Sequence, residues 1–184
     1  MFLDLTDLAL RTGEHHERSC PVELAPLLLG GVSYEVLLPQ GVTVAVDRAA
    51  GGFLITLATD AKIYGPCARC LDEVVLEVRA EQQEFAPTAQ DRWDESDLSV
   101  FIDGMVVDVA GIAREAVILS LPAQVVCSPE CLGLCSQCGK DLNQGPCECA
   151  PSGGDERWGA LKDLQLDDDS GSTSDFEAAD GSET

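Results

Sequence analysis

In residues 42–60, VTVAVDRAAGGFLITLATD, two runs of alternating character flank a glycine pair. Val42, Val44 and Val46 alternate with Thr43, Ala45 and Asp47, the period of a strand with one buried face. Phe53, Ile55 and Leu57 alternate less strictly with Leu54, Thr56 and Ala58. Residues 50–52 carry turn chemistry. The runs therefore read as strands joined by a short turn.

Working outward, VSYEVLL (32–38) and EVVLEV (73–78) are also short, β-branched and bounded by Gly, Pro or Asp. A turn at 39–41 joins the first of them to residue 42. Short turns between strands predict an antiparallel sheet folded toward a half-barrel. Beyond Asp103 and Gly104 the period changes. Asp108 is placed to cap a helix, Val109, Ile112, Ala113, Ala116 and Val117 recur on one helical face, and Pro122 marks the end. That face is expected to cover the sheet rather than to dock a partner. The fold class is thus α+β, an antiparallel β-sheet or half-barrel covered by one helix.

The remaining segments are less regular. FLDLTDLAL near the start reads as a short strand or a helical turn, and His15 and His16 as a solvated strand or loop in preference to metal ligands. Residues 81–100 are polar and read as a long connection, with Trp93 as a packing anchor. From residue 150 onward Ser, Gly, Asp and Glu dominate, and no Lys or Arg follows Asp167. Such a stretch buries too little apolar surface to offset chain entropy and is expected to be a disordered acidic tail. RWGALKDLQL within it could form a short helix with Trp158, Leu161 and Leu164 as an apolar spot. The expected organisation is a β-rich body over 1–125, a cysteine-rich segment over 126–150 and the tail over 151–184.

The chain has 184 residues and a formal net charge of −22, with only 11 Lys and Arg. Readers of nucleic acid carry a basic stripe that displaces phosphate counterions. The charge argues against direct nucleic-acid binding and favours basic partners. The first residues lack the basic region of a signal peptide, and no apolar run is long enough to span a bilayer. A cytoplasmic protein without membrane association is expected. In that reducing setting clustered cysteines read first as metal ligands.

Eight of the nine cysteines fall in pairs: Cys67 and Cys70, Cys127 and Cys131, Cys135 and Cys138, Cys147 and Cys149. Cys20 stands alone and reads as a core thiol. CSQCG, residues 135–139, is the strongest unit, because a tight turn at C-x2-C followed by Gly139 turns both sulfurs toward one metal. Zinc needs four ligands. Two more come from Cys147 and Cys149, from Cys127 and Cys131, or from Cys67 and Cys70 across a long insertion. One structural zinc within 127–149 is the expectation, although eight paired thiols would suffice for two. A site closed by four thiolates leaves no position for a reacting water. Leu132, Leu134 and Leu142 are nearly all the apolar matter of this segment, so the metal would stand in for a core in a zinc-ribbon-like appendage. GPCARCL, residues 65–71, reads equally as half a metal site, as an exposed contact centred on Arg69, or as two half-buried thiols in a turn.

Together, CARCL after a strand, an acidic connection, REAVILSLP running into CLGLCSQCGKDLN, and CEC resemble the YceD family of bacterial proteins over about residues 1–150. The resemblance implies a role in the accumulation of large-subunit ribosomal RNA. Family genes often neighbour that of a small ribosomal protein of the large subunit. The motif positions carried over are Cys67, Arg69, Cys70, Cys131, Gly133, Leu134, Cys135, Cys138, Gly139, Leu142, Asn143, Cys147 and Cys149. Of these, Cys67, Arg69, Cys70 and Asn143 are candidate binding residues, and no catalytic residue is implied. Some family members lack the C-terminal cysteines while keeping the upstream pair, which implies that no metal is shared between the two regions.

No phosphate loop, dinucleotide fingerprint or nucleophile–base arrangement is present in the sequence. The expected function is that of a non-enzymatic factor supporting large-subunit ribosomal RNA accumulation, bound to a basic ribosomal protein or a pre-ribosomal particle. The alternative is a thiol-based redox or zinc sensor that exploits thiols beyond the four a single ion needs.

Overall fold

A computed structural model describes residues 1–89, 93–94 and 97–149 of the chain. The acidic tail and the apolar spot at Trp158, Leu161 and Leu164 lie outside the described residues. The chain divides into a first compact unit, Met1–Cys147, and a second, Glu148–Thr184. The first unit includes the sheet, the helix and the cysteine-rich segment as far as Cys147.

Two strands of 15 residues each, β6 (Gly52–Pro66) and β7 (Glu73–Pro87), pair antiparallel along their whole length. On its other side β6 receives two shorter strands in succession: β5 (Val42–Arg48) lies against Phe53 to Ala58, and β4 (Val32–Leu37) against Lys62 to Tyr64. Strand β2 (His15–Cys20) extends the sheet beyond β5, and β3 (Leu27–Leu29) beyond β4. A smaller sheet, in the order β1-β9-β8, joins β1 (Phe2–Asp4), β9 (Val106–Asp108) and β8 (Ile102–Asp103). The first residues thus form a strand and then a 3-10 turn at Thr6–Leu8.

The alternation in the sequence matches the buried face. Val42, Val44, Val46, Phe53, Ile55 and Leu57 are all buried, as are Ala61 and Ile63 further along β6. Where β4 and β5 part, Thr59 is also buried, and its hydroxyl donates to the Gly41 carbonyl at 2.8 Å. Gly41 turns the chain there with φ +70°, and a Cβ on it would collide with the Cys20 carbonyl oxygen. No larger residue fits this turn. Cys20 itself is buried, in keeping with a core thiol.

The sheet differs from the sequence expectation in one respect. The polar stretch EQQEFAP is the second half of β7 and not part of a loop. Its side chains lack a hydrophobic run, but every residue from Glu81 to Pro87 faces a partner on β6. Ladder pairing with a long neighbour holds it extended where side-chain pattern alone would not. Trp93 packs its ring against Phe85, with centroids 5.7 Å apart.

Helix α1 (Val109–Leu119) buries Val109, Ile112, Ala113, Ala116 and Val117, the face read from the sequence, and packs on β6 and β7. Asp108 occupies the N-cap position, yet its side chain makes no capping hydrogen bond. The first helical amide is satisfied instead by the backbone, since Val109 N–H donates to the Met1 carbonyl at 3.0 Å. Arg114, on the outer side, donates to the Ala25 carbonyl at 2.9 Å and holds the chain before β3.

Replacing Ile112 with Ala removes a fully buried side chain from the helix–sheet contact and is expected to cost about 2–5 kcal/mol of unfolding free energy. Glu115→Ala, one turn position away on the exposed side, is expected to change it by no more than about 0.5 kcal/mol. Urea unfolding of the two variants checks this, and equal losses would mean that α1 does not cover the core.

Candidate metal centres

The hairpin between β6 and β7 is closed by six residues, 67–72, and they place the first sulfurs. Cys67 N–H donates to the Asp72 carbonyl at 2.7 Å, and Leu71 N–H to the Cys67 carbonyl at 3.0 Å. Leu71 completes the turn in the left-handed region, with φ +67°. The result is a knuckle that directs Cys67 and Cys70 inward, where both are buried. The chain leaving α1 then passes alongside: Ala68 N–H donates to the Val125 carbonyl at 2.8 Å. This contact delivers Cys127 and Cys131 to the knuckle.

Cys67, Cys70, Cys127 and Cys131 bring their sulfurs within 4.8 Å of one another. Cys67 Sγ lies 3.8 Å from Cys131 Sγ, and Cys70 Sγ lies 3.5 Å from Cys127 Sγ. A disulfide requires about 2.0 Å. Four thiolates around one ion at about 2.3 Å, arranged tetrahedrally, stand about 3.8 Å apart. The spacing is that of metal ligands.

A second group forms further on. Cys135, Cys138 and Cys147 bring their sulfurs equally close, and Cys149 follows Cys147 by two residues in the sequence. Cys147 Sγ is 3.4 Å from Cys135 Sγ. The turn at 135–139 is the one read from the sequence: Gly139 has φ +71°, its N–H donates to the Cys135 carbonyl at 2.9 Å, and Cys135 N–H donates to the Lys140 carbonyl at 2.8 Å.

Two groups of thiols therefore exist where a single ion was expected. Cys127 and Cys131 do not complete the site of Cys135 and Cys138 but join the upstream pair Cys67 and Cys70. The expectation that no site bridges the two regions is reversed, because the hairpin and the segment after α1 meet in space. Each group could hold one metal ion.

Backbone amides tune the sulfurs. Burial pushes the Cys67 thiol up, but amides of Cys70, Arg69 and Cys127 aimed at its sulfur outweigh this and hold it at about 6. At Cys135 the amides of Cys138 and Gln137, with the Cys147 thiol, likewise lower it to about 6. For Cys70 the Asp72 amide acts downward, yet burial and the neighbouring thiols prevail and push it up; its thiol donates to the Asp72 carboxylate at 3.5 Å. The Cys131 thiol next to Cys127 pushes that one up as well. Each group thus contains one sulfur ready to bind as thiolate, and in the first group a metal must displace the protons held at Cys70 and Cys127.

The candidate binding residues Arg69 and Asn143 have structural duties here. Arg69 turns its guanidinium onto the chain and donates to the carbonyls of Cys131 at 3.0 Å and Pro129 at 3.3 Å. Its own carbonyl accepts from Leu134 N–H at 3.2 Å. Gly133 passes so close that a Cβ would stand 3.0 Å from that Arg69 oxygen, and its φ is +72°. Asn143 lies in the loop between Cys138 and Cys147, yet its Nδ2 donates to Cys131 Sγ at 3.4 Å and its Oδ1 accepts from Leu132 N–H at 2.8 Å. The amide holds the loop of one group to a ligand of the other. Asp141, which sequence reading passed over, orients it by accepting from both Asn143 nitrogens at 2.8 and 2.9 Å. His15 and His16 lie on β2 and belong to neither group; His15 Nδ1 is 2.7 Å from Asp47 Oδ1.

Comparison with known proteins places these residues in context. A family profile described as large ribosomal RNA subunit accumulation protein YceD matches residues 55–165. Uncharacterized proteins of Mycobacterium tuberculosis and Mycobacterium bovis are each 35% identical to the chain over 104 residues, which is 55% of this chain and 50% of the relative. The chain thus spans about half the length of the curated relatives it matches. No solved structure matches it.

Two outcomes are expected at these centres. Anaerobically prepared protein should lose one bound ion when Cys67 and Cys70 are changed to Ser and the other when Cys135 and Cys138 are changed, as read by elemental analysis. After metal removal at pH 7, iodoacetamide should modify Cys135 well before Cys70, and the Cys135 rate should fall as the pH drops through about 6, where that thiolate takes up its proton. Mass mapping of the modified peptides decides the order.

Proposed function

The chain belongs to the YceD family of large ribosomal RNA subunit accumulation proteins, and on that premise we propose that it supports ribosomal RNA accumulation without catalysis, by binding a basic ribosomal protein or assembly intermediate. The observation that carries this reading is the family match, whose span, 55–165, takes in every cysteine of both groups. The charge of −22 supports a basic partner. The metal proposed for both groups is zinc, since four thiolates in tetrahedral array suit it. An all-sulfur shell keeps no position for substrate, so each zinc would act as a staple. Work of this kind belongs in the cytoplasm, and among the described residues no helix is long and apolar enough to cross a membrane.

A second reading, a thiol-based sensor, draws on one difference between the groups. Cys67, Cys70 and Cys131 are buried and Cys127 of that group is exposed, whereas in the second group Cys138 is exposed and Cys135 and Cys147 are only half-buried. Oxidants would reach the second group first. Mild peroxide releasing half of the zinc, reversed by thiol, would favour this reading; unchanged zinc and thiol content would dismiss it.

Purified chain should retain basic large-subunit ribosomal proteins in a pull-down at about 50 mM salt and release most of them by about 300 mM, as screening weakens the attraction. Tight binding of protein-free ribosomal RNA instead would refute the proposal.

A further inference from the structure

Among the described residues, one side of the β7 backbone has no partner. At the hairpin Cys67 N–H donates to the Asp72 carbonyl, and at the far end Thr88 N–H donates to the Gly51 carbonyl. Both bonds continue the register of the strands between them, Gly52↔Pro87 through Pro66↔Glu73. Bonded and non-bonded pairs alternate along an antiparallel ladder. The even-numbered residues of β7 therefore direct their amides and carbonyls to β6, and the odd-numbered ones, from Glu73 to Phe85, direct theirs away. Among the described residues no strand, turn or side chain meets these outward groups.

The same odd-numbered residues are exposed from Glu73 to Gln83, a run of ~37 Å at the rise of an antiparallel strand. Proteins usually blunt such an edge with a short strand, a bulge, an internal proline or charged side chains, and of these only the charges are present here. Here the pairing runs without a bulge, and Pro87 is the last residue. What the edge displays is acid at every fourth residue, Glu73, Glu77 and Glu81, broken by Arg79. Val75 lies among them 55% exposed, and Leu71 beside them in the knuckle is 64% exposed. On the inner side Lys62 of β6 already meets Glu77 at 2.7 Å, a cross-strand pair that an added strand would repeat on the other flank.

We propose that the outer edge of β7 takes up an extended basic segment of a partner protein as an added strand, with Lys or Arg at every fourth residue opposite Glu73, Glu77 and Glu81 and an apolar residue opposite Val75. This rests on the reading that the partner is basic. Main-chain hydrogen bonds supply the grip and the alternate side chains the selection. The charge of −22 on each chain opposes pairing of two β7 edges with each other.

The test uses the full zinc-loaded chain. The probes are an eleven-residue peptide with Lys at positions 1, 5 and 9, Val at positions 3 and 7, so that one faces Val75 in either strand direction, and Thr elsewhere, a control of the same composition with its lysines adjacent, and basic large-subunit ribosomal proteins. With the first peptide, exchange of the Val75, Glu77, Arg79 and Glu81 amides should slow at least tenfold, while their even-numbered neighbours stay unchanged. Val75→Pro and Glu81→Pro remove only outward N–H groups, so the ladder to β6 survives. Each should weaken peptide binding more than tenfold, as should the combined reversal of Glu73, Glu77 and Glu81 to Lys. If ribosomal proteins bind and these variants change nothing, the edge is not the site, although the basic-partner reading stands. If no ribosomal protein binds, that reading falls and the peptide alone decides the edge. Odd-numbered amides already protected in the free chain, or a dimer dissolved by the proline variants, would overturn the inference in favour of self-coverage or self-pairing.

Discussion

Four sulfur atoms, two from the hairpin of the longest strands and two from the chain that leaves the helix, meet where the sheet joins the segment that follows α1. Cys67 and Cys70 sit where β6 turns into β7, and Cys127 and Cys131 arrive across the Ala68 to Val125 hydrogen bond. An ion gripped there would join the end of the sheet to a segment with little apolar surface of its own. Without the ion, a buried thiolate at Cys67 would face thiols whose protons are held, an arrangement of buried polar groups that burial alone does not favour.

Around this junction the polar residues act as joinery. Arg69 reaches from the hairpin to the carbonyls of Pro129 and Cys131, Gly133 allows the backbone to pass beneath it, and Asn143 reaches back from the second group to the Cys131 sulfur. Hydrogen bonds to ligating sulfurs set their basicity and fix their direction. The two centres are therefore mechanically continuous through one side-chain amide, and residues that look like surface contacts in a motif serve to hold ligands in place.

Much of this was legible in the sequence. The valine alternation of β5 and the apolar face of α1 stand out in the sequence because burial there is periodic and local. The second half of β7 does not, because its extended form comes from pairing with β6 and leaves no trace in side-chain pattern. The turn at 135–139 was visible because Gly139 follows the second cysteine immediately. The partners of Cys67 and Cys70 were not, because spacing along the chain carries no information on which distant pairs meet, and the deciding contact at Ala68 is made by backbone. Asp141 is likewise an ordinary acid in the sequence and acquires meaning only through Asn143.

The two centres also differ in how far the chain must travel to close them. Cys67 and Cys131 are 64 residues apart, whereas Cys135 and Cys147 are separated by only 12. Closing the longer span costs about 1.4 kcal/mol more in chain entropy. It also requires β7 and α1 to have been synthesised and brought into place, since both lie within the span. An ion in the short loop would need only local closure, whereas one in the long span would also fix β7 and α1 in place. Metal scarcity would therefore empty the long span first and leave the sheet unfastened from the local clasp.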